Sequence, residues 1–370
     1  MKTTKVGVIG CGTISGIYFE NLTKRFKQIE VLACADIFLA KAEEAAQKYG
    51  IPIACSTEEL LKNPEIEIVL NLTIPAVHTE INVAALKAGK HVYCEKPLAL
   101  NMEDLNKTID LAKERHLSVG CAPDTFMGAG LQTCRKLIDE NWIGKPVSAT
   151  VNFVSHGPET WHPSPEFYYK PGAGPLLDMG PYYLTALVFL LGPIGSISCF
   201  TNRARDKRVI TSKAHKGEII DVEVETGYCG ILKFKSGTIV NVNMSFDVWL
   251  SNLPLFEIYG TKGTLVVTDP KMFGGKVEIS RGEKEIHDFF KEIPLPYGSA
   301  NDNLRGLGLA DMAKAIQDGT EPRVNAELIY HVTEALLNFE TAANGSHVYK
   351  MKSTCTMSAP IKNFQTFQIF

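Results

Sequence analysis

The chain has 370 residues, 45% of them apolar and 21% charged, with a formal net charge of −3. This is the balance of a soluble globular protein, and its length exceeds one core of ordinary size, so two domains are expected. No basic excess points to nucleic acid, and no block of like charges reads as a tail. The nine cysteines include no CxxC pair and no Cys/His cluster at zinc-ligand spacing. Reduced structural thiols, no metal site and a cytoplasmic location are therefore expected. The start MKTTKVGVIGCG has too short an apolar run for a signal peptide, and the longest such run, 182–191, falls short of a membrane span.

Along the first third, strand-like runs at 5–9, 31–35, 66–72, 91–94 and 118–121 alternate with helical stretches at 14–26, 39–49, 57–61, 78–88 and 102–116. Ser56 and Glu59 have capping-box spacing, Asn101 can cap the helix after it, and Gly89 is a helix stop. Repeated strand–helix–strand units predict a doubly wound parallel sheet covered on both faces. After Pro123 the pattern changes. A helix at 131–141 and a strand at 147–154 lead into a Pro- and aromatic-rich loop, 156–175, and a helix at 178–191. Strand runs at 219–227, 230–234, 239–246, 256–259 and 264–268 predict a mainly antiparallel sheet, with late helices at 304–317 and 326–344 packing back on the body. The expected fold class is thus α/β: an N-terminal parallel-sheet domain at 1–123, then an α+β domain with a large open sheet at 124–350, and a tail at 351–370. A sheet face carrying Val222, Val224, Ile239 and Val242 would need covering, which suggests a homodimer or homotetramer through that sheet.

The first strand runs straight into Gly10-Cys11-Gly12-Thr13-Ile14-Ser15, which then opens a helix. This is the setting of a Rossmann dinucleotide fingerprint. Gly10 permits the tight turn, Gly12 lets a pyrophosphate approach the backbone at the helix start, and Ser15 stands at the third, packing position. Gly10, Gly12, Thr13 and Ile14 are accordingly cofactor candidates. Asp36 ends the second strand, where a carboxylate accepts hydrogen bonds from ribose hydroxyls and repels a 2′-phosphate. Ile37, Phe38 and Leu39 follow with no arginine, so NAD is favoured over NADP.

Ligands of a doubly wound sheet lie beyond the carboxyl ends of its strands. That rule adds Thr73, Pro75 and His78, then Glu95-Lys96-Pro97, and then Asp124 to the cofactor candidates. His78 reads as a cofactor-side or packing residue rather than a catalyst. Charges and proline at 95–97 are also an ordinary way to end a strand.

GCGTIS, the Asp36 strand end, TIPAVHTE and above all YCEKPLA resemble the Gfo/Idh/MocA family, and GAGPLLDMGPYYLTAL resembles its second signature, a Gly-rich loop followed by D-x-G-x-H. The resemblance runs over nearly the whole chain. It implies a Rossmann domain followed by an α/β domain whose open sheet often forms the oligomer interface. It also implies a Lys96–Pro97 bond that is often cis, and an NAD-dependent enzyme oxidising a secondary hydroxyl of a sugar, inositol or related polyol.

Moving a hydride from such a carbon requires the hydroxyl proton to leave, helped by a base and by a cation beside the developing oxygen charge. In the family a His of D-x-G-x-H usually takes the proton while Lys and Asp assist. Here Tyr182 stands in that His's place, four residues after Asp178. A free phenol titrates near about 10, so it needs a cation such as Lys96 to serve as base. His162, in ETWHPSPEFYY, and Lys96 itself are the other candidates. Lys96 ranks as essential, Asp178 as its positioning partner, Tyr182 as first proton relay and His162 as second. Helical spacing of Tyr182, Ala186 and Phe189 equally suits plain packing, and His162 equally suits a solvated loop. The aromatic loop 161–169 fits either a sugar-stacking surface or an interface patch. Two other functions remain open: a redox-neutral NAD-using glycosidase- or lyase-like enzyme, and a non-catalytic NAD-binding regulator.

Overall fold

The computed structural model describes residues 3–282, 289–295, 302–345 and 348–361. They fall into two compact units, one drawn from Met1–Gly128, Asn301–Thr333 and Ser358–Phe370, the other from Ala129–Ala300 and Glu334–Met357.

The first unit begins β1 (Thr4–Ile9), α1 (Ser15–Lys24), β2 (Ile29–Ala35), α2 (Leu39–Tyr49) and β3 (Ile53–Cys55). It continues α3 (Thr57–Lys62), β4 (Ile68–Asn71), α4 (His78–Lys87), β5 (His91–Cys94), α5 (Met102–Glu114) and β6 (Val119–Cys121). All five strand pairings are parallel, in the order β3-β2-β1-β4-β5-β6. β1 and β4 are buried along nearly their whole length, as a sheet covered on both faces requires. Chain order reverses direction across the sheet between β1 and β4, so the crevice for a ligand opens at their carboxyl ends. The capping box at Ser56 and Glu59 forms, and the Asn101 side chain accepts from the Asp104 amide. The short edge strand β3 was not among the sequence expectations, because IAC is too brief to show alternation.

The second unit contains α6 (Ala129–Asp139), β7 (Pro146–Val154), α7 (Gly174–Leu191), β8 (Ile194–Asn202), β9 (Lys207–Val209) and β10 (Ile219–Asp221). Five more strands follow: β11 (Gly227–Phe234), β12 (Ile239–Ser245), β13 (Phe256–Gly260), β14 (Gly263–Val266) and β15 (Glu278–Arg281). β16 (Lys291–Glu292), α10 (Phe339–Asn344) and β17 (Tyr349–Lys350) also belong to it, whereas α8 (Leu307–Asp318) and the start of α9 (Ala326–Leu337) belong to the first unit; residues 362–370 of the expected tail lie outside the described chain. Nine strands form one sheet, antiparallel except for the β7–β12 pair. α7 lies against β7, β11 and β12. It is long and apolar enough by length and composition to cross a membrane, but it is mostly buried as the core helix of this unit.

Two expectations are corrected. The run at 219–227 is not one strand. β10 pairs with β9 in a separate two-stranded hairpin, and the chain turns at 222–226 before β11 starts. The proposed exposed face is also wrong in detail. Val222 is buried with Tyr169, Ile210, Ile220 and Phe246, and Val242 is buried because strict alternation along β12 turns Val240, Val242 and Met244 to the core and Ile239 outward. The apolar residues on the open side are Phe200, Ile231 and Ile239, with Cys229 directly opposite Phe200.

The aromatic loop is held by one buried cation. Arg208 of β9 has a side chain only 1% exposed. Its guanidinium donates to the His156 carbonyl at 2.9 Å, to Glu159 at 2.6 Å, to the Phe246 carbonyl at 2.9 Å and to Asp247. Tyr169 closes the group by donating to Glu159 while packing on Phe246, Ile210, Ile220 and Val222. Removing one partner of a buried ion pair strands the other charge. Arg208→Leu should therefore cost about 3–5 kcal/mol of stability in urea unfolding, whereas a loss below about 1 kcal/mol would mean the cluster does not anchor the loop.

Candidate active site

The turn after β1 is set by two glycines with different duties. Gly10 has φ of 102°, and a Cβ there would lie 2.7 Å from the Leu72 carbonyl oxygen. Only glycine fits. At Gly12 a Cβ would meet nothing within 4 Å. That open space lies at the start of α1, whose N-cap residue Ile14 offers no side-chain cap and whose first turn carries no acidic group. An uncapped helix start with a bare backbone approach is suited to an anion such as a pyrophosphate. Ser15, at the third fingerprint position, is buried and donates to the Gly12 carbonyl at 2.7 Å, so it tightens the turn.

Asp36, the residue after β2, accepts from the Cys11 amide through one oxygen at 2.9 Å and from the Phe38 amide through the other at 3.0 Å. Each oxygen keeps a second lone pair for a ribose hydroxyl. After β4, the Asn71 side chain accepts from the Thr73 amide at 3.1 Å and its hydroxyl at 2.6 Å. Pro75 begins a short 3₁₀ turn that leads into His78, which is wholly buried, with ring nitrogens facing the Thr73 and Pro97 carbonyls.

Glu95-Lys96-Pro97 leaves the end of β5. Glu95 is buried; one oxygen accepts from the Tyr18 hydroxyl at 2.8 Å and the other from the Lys96 amide at 3.0 Å. Burial, reinforced by the Glu95 charge, holds the Tyr18 phenol well above its ordinary range, so it stays a donor. Glu95 therefore fixes the backbone that presents Lys96, which is half-buried. The Lys96–Pro97 and Ala122–Pro123 bonds are both cis. Asp124, after β6, is buried and accepts from the Gly306 and Gly308 amides at 3.0 and 2.9 Å, at the start of α8. Burial pushes its pKa up to about 6, with the two amides and Arg305 opposing. Its side chain serves that helix start.

In the second unit, Asp178 and Tyr182 lie one turn apart on α7. The helix starts at Gly174, a turn before the sequence expectation, with Pro175 in its first turn where a missing N–H costs nothing. Asp178 is half-buried and Tyr182 nearly buried. His162 is half-buried, and its Nδ1 accepts from the Ser164 amide at 3.0 Å. Its ring meets Trp161, Phe167 and Tyr168 edge-on at 5.2–5.4 Å. Within the loop Trp161 and Phe167 are exposed, while Tyr169 is buried. Trp249, stacked on His156 at 3.3 Å, is a further exposed aromatic that sequence reading passed over. Tyr18 and the Arg208 cluster were passed over too; their partners are distant in sequence and no local signal marks them.

A family model described as an oxidoreductase family with an NAD-binding Rossmann fold matches residues 4–122, and the Gfo/Idh/MocA C-terminal domain model matches 131–266. The chain belongs to the Gfo/Idh/MocA family. Among its relatives, a 1,5-anhydro-D-fructose reductase of Ensifer adhaerens is 28% identical over 92% of this chain and 96% of its own. A myo-inositol 2-dehydrogenase of Thermotoga maritima is 24% identical over 87% and 91%. Among solved structures, an NAD-binding oxidoreductase from Klebsiella pneumoniae shares the fold with a TM-score of 0.82 at 22% identity, over 94% of this chain and 99% of that one. A levoglucosan dehydrogenase in complex with NADH and L-sorbose does so at 0.81 and 20%, over 96% and 100%.

The two glycines of this Gfo/Idh/MocA chain separate binding from folding. Gly12→Ala should leave the melting temperature unchanged and weaken NAD binding about tenfold or more, a loss of about 1.4 kcal/mol read by fluorescence titration. Gly10→Ala should lower the melting temperature itself. Unaltered NAD affinity in Gly12→Ala would remove the α1 start from the cofactor site.

Proposed function

We propose that the protein is an NAD-dependent oxidoreductase that moves a hydride between the nicotinamide and a secondary hydroxyl or keto carbon of a sugar, inositol or related polyol. The observation that carries this reading is the uncapped α1 start with its open Gly12 approach, in the same sheet that presents Lys96 from a backbone fixed by Glu95. The names of the relatives, a reductase of an anhydro sugar and a dehydrogenase of an inositol, supply the substrate class. In the oxidative direction the alcohol C–H gives its electron pair and hydrogen to NAD as hydride, the O–H proton passes to a base, and ketone, NADH and a proton result.

In this reading Lys96 stabilises charge developing on the substrate oxygen. Asp178 is its positioning partner, Tyr182 takes the proton, and His162 is the alternative acceptor. Thr13, Ile14, Thr73 and Pro75 shape the cofactor loops, and the exposed Trp161 and Phe167 offer faces on which C–H-rich rings pack. A second reading is favoured by one feature, the Tyr at 182 where the resembled signature has His. It is a redox-neutral cycle on retained NAD, in which NADH never accumulates.

Lys96→Met should keep NAD affinity within about twofold and lower turnover by about a hundredfold or more, as loss of a group acting only in the transition state does. Screening wild-type enzyme against sugars, inositols and their keto forms is expected to show steady NADH change. Co-purified NAD without net NADH would select the redox-neutral cycle, and undiminished turnover in the Lys96 variant would remove that residue from the chemistry.

We also infer that two copies pair through the open side of the nine-stranded sheet, at Phe200, Cys229, Ile231 and Ile239. Phe200→Glu should shift sedimentation from oligomer to monomer with the fold retained. A wild-type chain that sediments as a monomer would contradict this.

A further inference from the structure

Tyr18 lies on α1, one turn past Ile14 at the helix start, and its side chain has no exposed surface. Its hydroxyl donates to one oxygen of Glu95 at 2.8 Å, across 77 positions of sequence. The other oxygen of the same carboxylate accepts from the Lys96 amide at 3.0 Å. One buried carboxylate therefore joins the helix that follows the glycine turn to the residue that carries the ammonium.

The Glu95 main chain is pinned independently. Its amide donates to the Asn71 carbonyl at 2.8 Å, and its carbonyl accepts from the Cys121 thiol at 3.5 Å. The ends of β4 and β6 thus hold Glu95 from either side, and Tyr18 adds α1. A carboxylate is a costly way to satisfy one strand-end amide, since its burial demands donors for both oxygens. The neighbouring strand end manages with a neutral side chain, Asn71, whose Oδ1 takes the Thr73 amide and hydroxyl. What the glutamate adds is a bridge: its two oxygens engage donors on two different elements.

We propose that Tyr18 and Glu95 form a strut between α1 and the Lys96 turn, making Tyr18 a positioning residue for Lys96. The functional part of this proposal rests on the NAD reading. In a dinucleotide the pyrophosphate and the nicotinamide are one ribose apart. An α1 start that seats the first must therefore keep a fixed spacing from a lysine that works beside the second. Tyr18 acts through Glu95 and the Lys96 main chain, so its hydroxyl matters to where Lys96 stands and not to whether the pyrophosphate is held.

Tyr18→Phe deletes the hydroxyl and keeps the ring. The link is read first without cofactor or substrate, in full-length protein carrying ¹⁵N-lysine, the Lys96 amide being assigned by its loss in Lys96→Met. Tyr18→Phe should quicken hydrogen exchange at that amide about tenfold, with the other lysine amides keeping their rates. The variant should hold ADP-ribose with an affinity within about twofold of wild type, because the α1 start is untouched. Its kcat should fall about tenfold or more. Unchanged exchange at Lys96 would overturn the strut. Faster exchange with undiminished kcat would overturn the positioning role, and loss of ADP-ribose affinity alongside kcat would reduce Tyr18 to a residue that α1 needs for its fold. A wild type without NAD-linked turnover would instead refute the NAD reading, and the exchange rates would still decide the strut.

Discussion

Every parallel strand that leaves the sheet at its carboxyl end must find partners for backbone groups that no longer have a neighbouring strand. In the first unit those partners are polar side chains borrowed from the adjoining strand ends. Asp36 holds the glycine loop through the Cys11 amide, Asn71 holds Thr73, Glu95 holds the Lys96 amide, and Asp124 holds the start of α8. The loops a ligand would touch are thereby fixed by groups lying underneath them. The starts of α1, α2 and α4 have no side-chain cap. Of these, the α1 start adjoins the open approach at Gly12, where a pyrophosphate would bring its own oxygens.

The second unit solves a different problem with similar means. Its apolar helix α7 fills the core beneath a nine-stranded sheet, and its first turns carry the carboxylate of Asp178 and the phenol of Tyr182. The proline-rich aromatic loop preceding it forms only two short 3₁₀ turns, Pro158–Thr160 and Glu166–Tyr169, and is tied down by Arg208 through two carboxylates and two carbonyls. A buried guanidinium is a costly anchor unless every donor is matched. Both terminal nitrogens are matched by two acceptors each, the buried Nε has no hydrogen-bond partner, and the Tyr169 ring lies 5.2 Å from the guanidinium carbon.

Much of the first unit was legible from local pattern. The strand–glycine–helix junction, the capping box at Ser56 and the strand at 91–94 are all short-range signals, and they coincide with the elements observed. Residue types at strand ends were legible as well, but their duties were not. Asp124 reads as a cofactor-side group and His78 as a cofactor-side or packing residue, and both are buried and engaged with backbone. Nothing local reveals that Asp124 meets amides more than 180 positions later. The second unit was less readable for the same reason. Val222 and Val242 have β-branched shapes suited to either face, and only the register of β12 and the turn at 222–226 decide which face they take. Tyr182 was visible as a departure from the resembled signature, and its proximity to Asp178 by one helical turn follows directly from α7.

The claim on which the account turns is that the α1 start and Asp36 together form a site for a dinucleotide lacking a 2′-phosphate. Calorimetric titration of the purified protein with NAD, ADP-ribose and NADP tests it most directly. The account predicts that NAD and ADP-ribose bind, that NADP binds at least about tenfold more weakly, and that Asp36→Ala narrows the difference. Equal affinity for NAD and NADP, or no binding of any of the three, would contradict it.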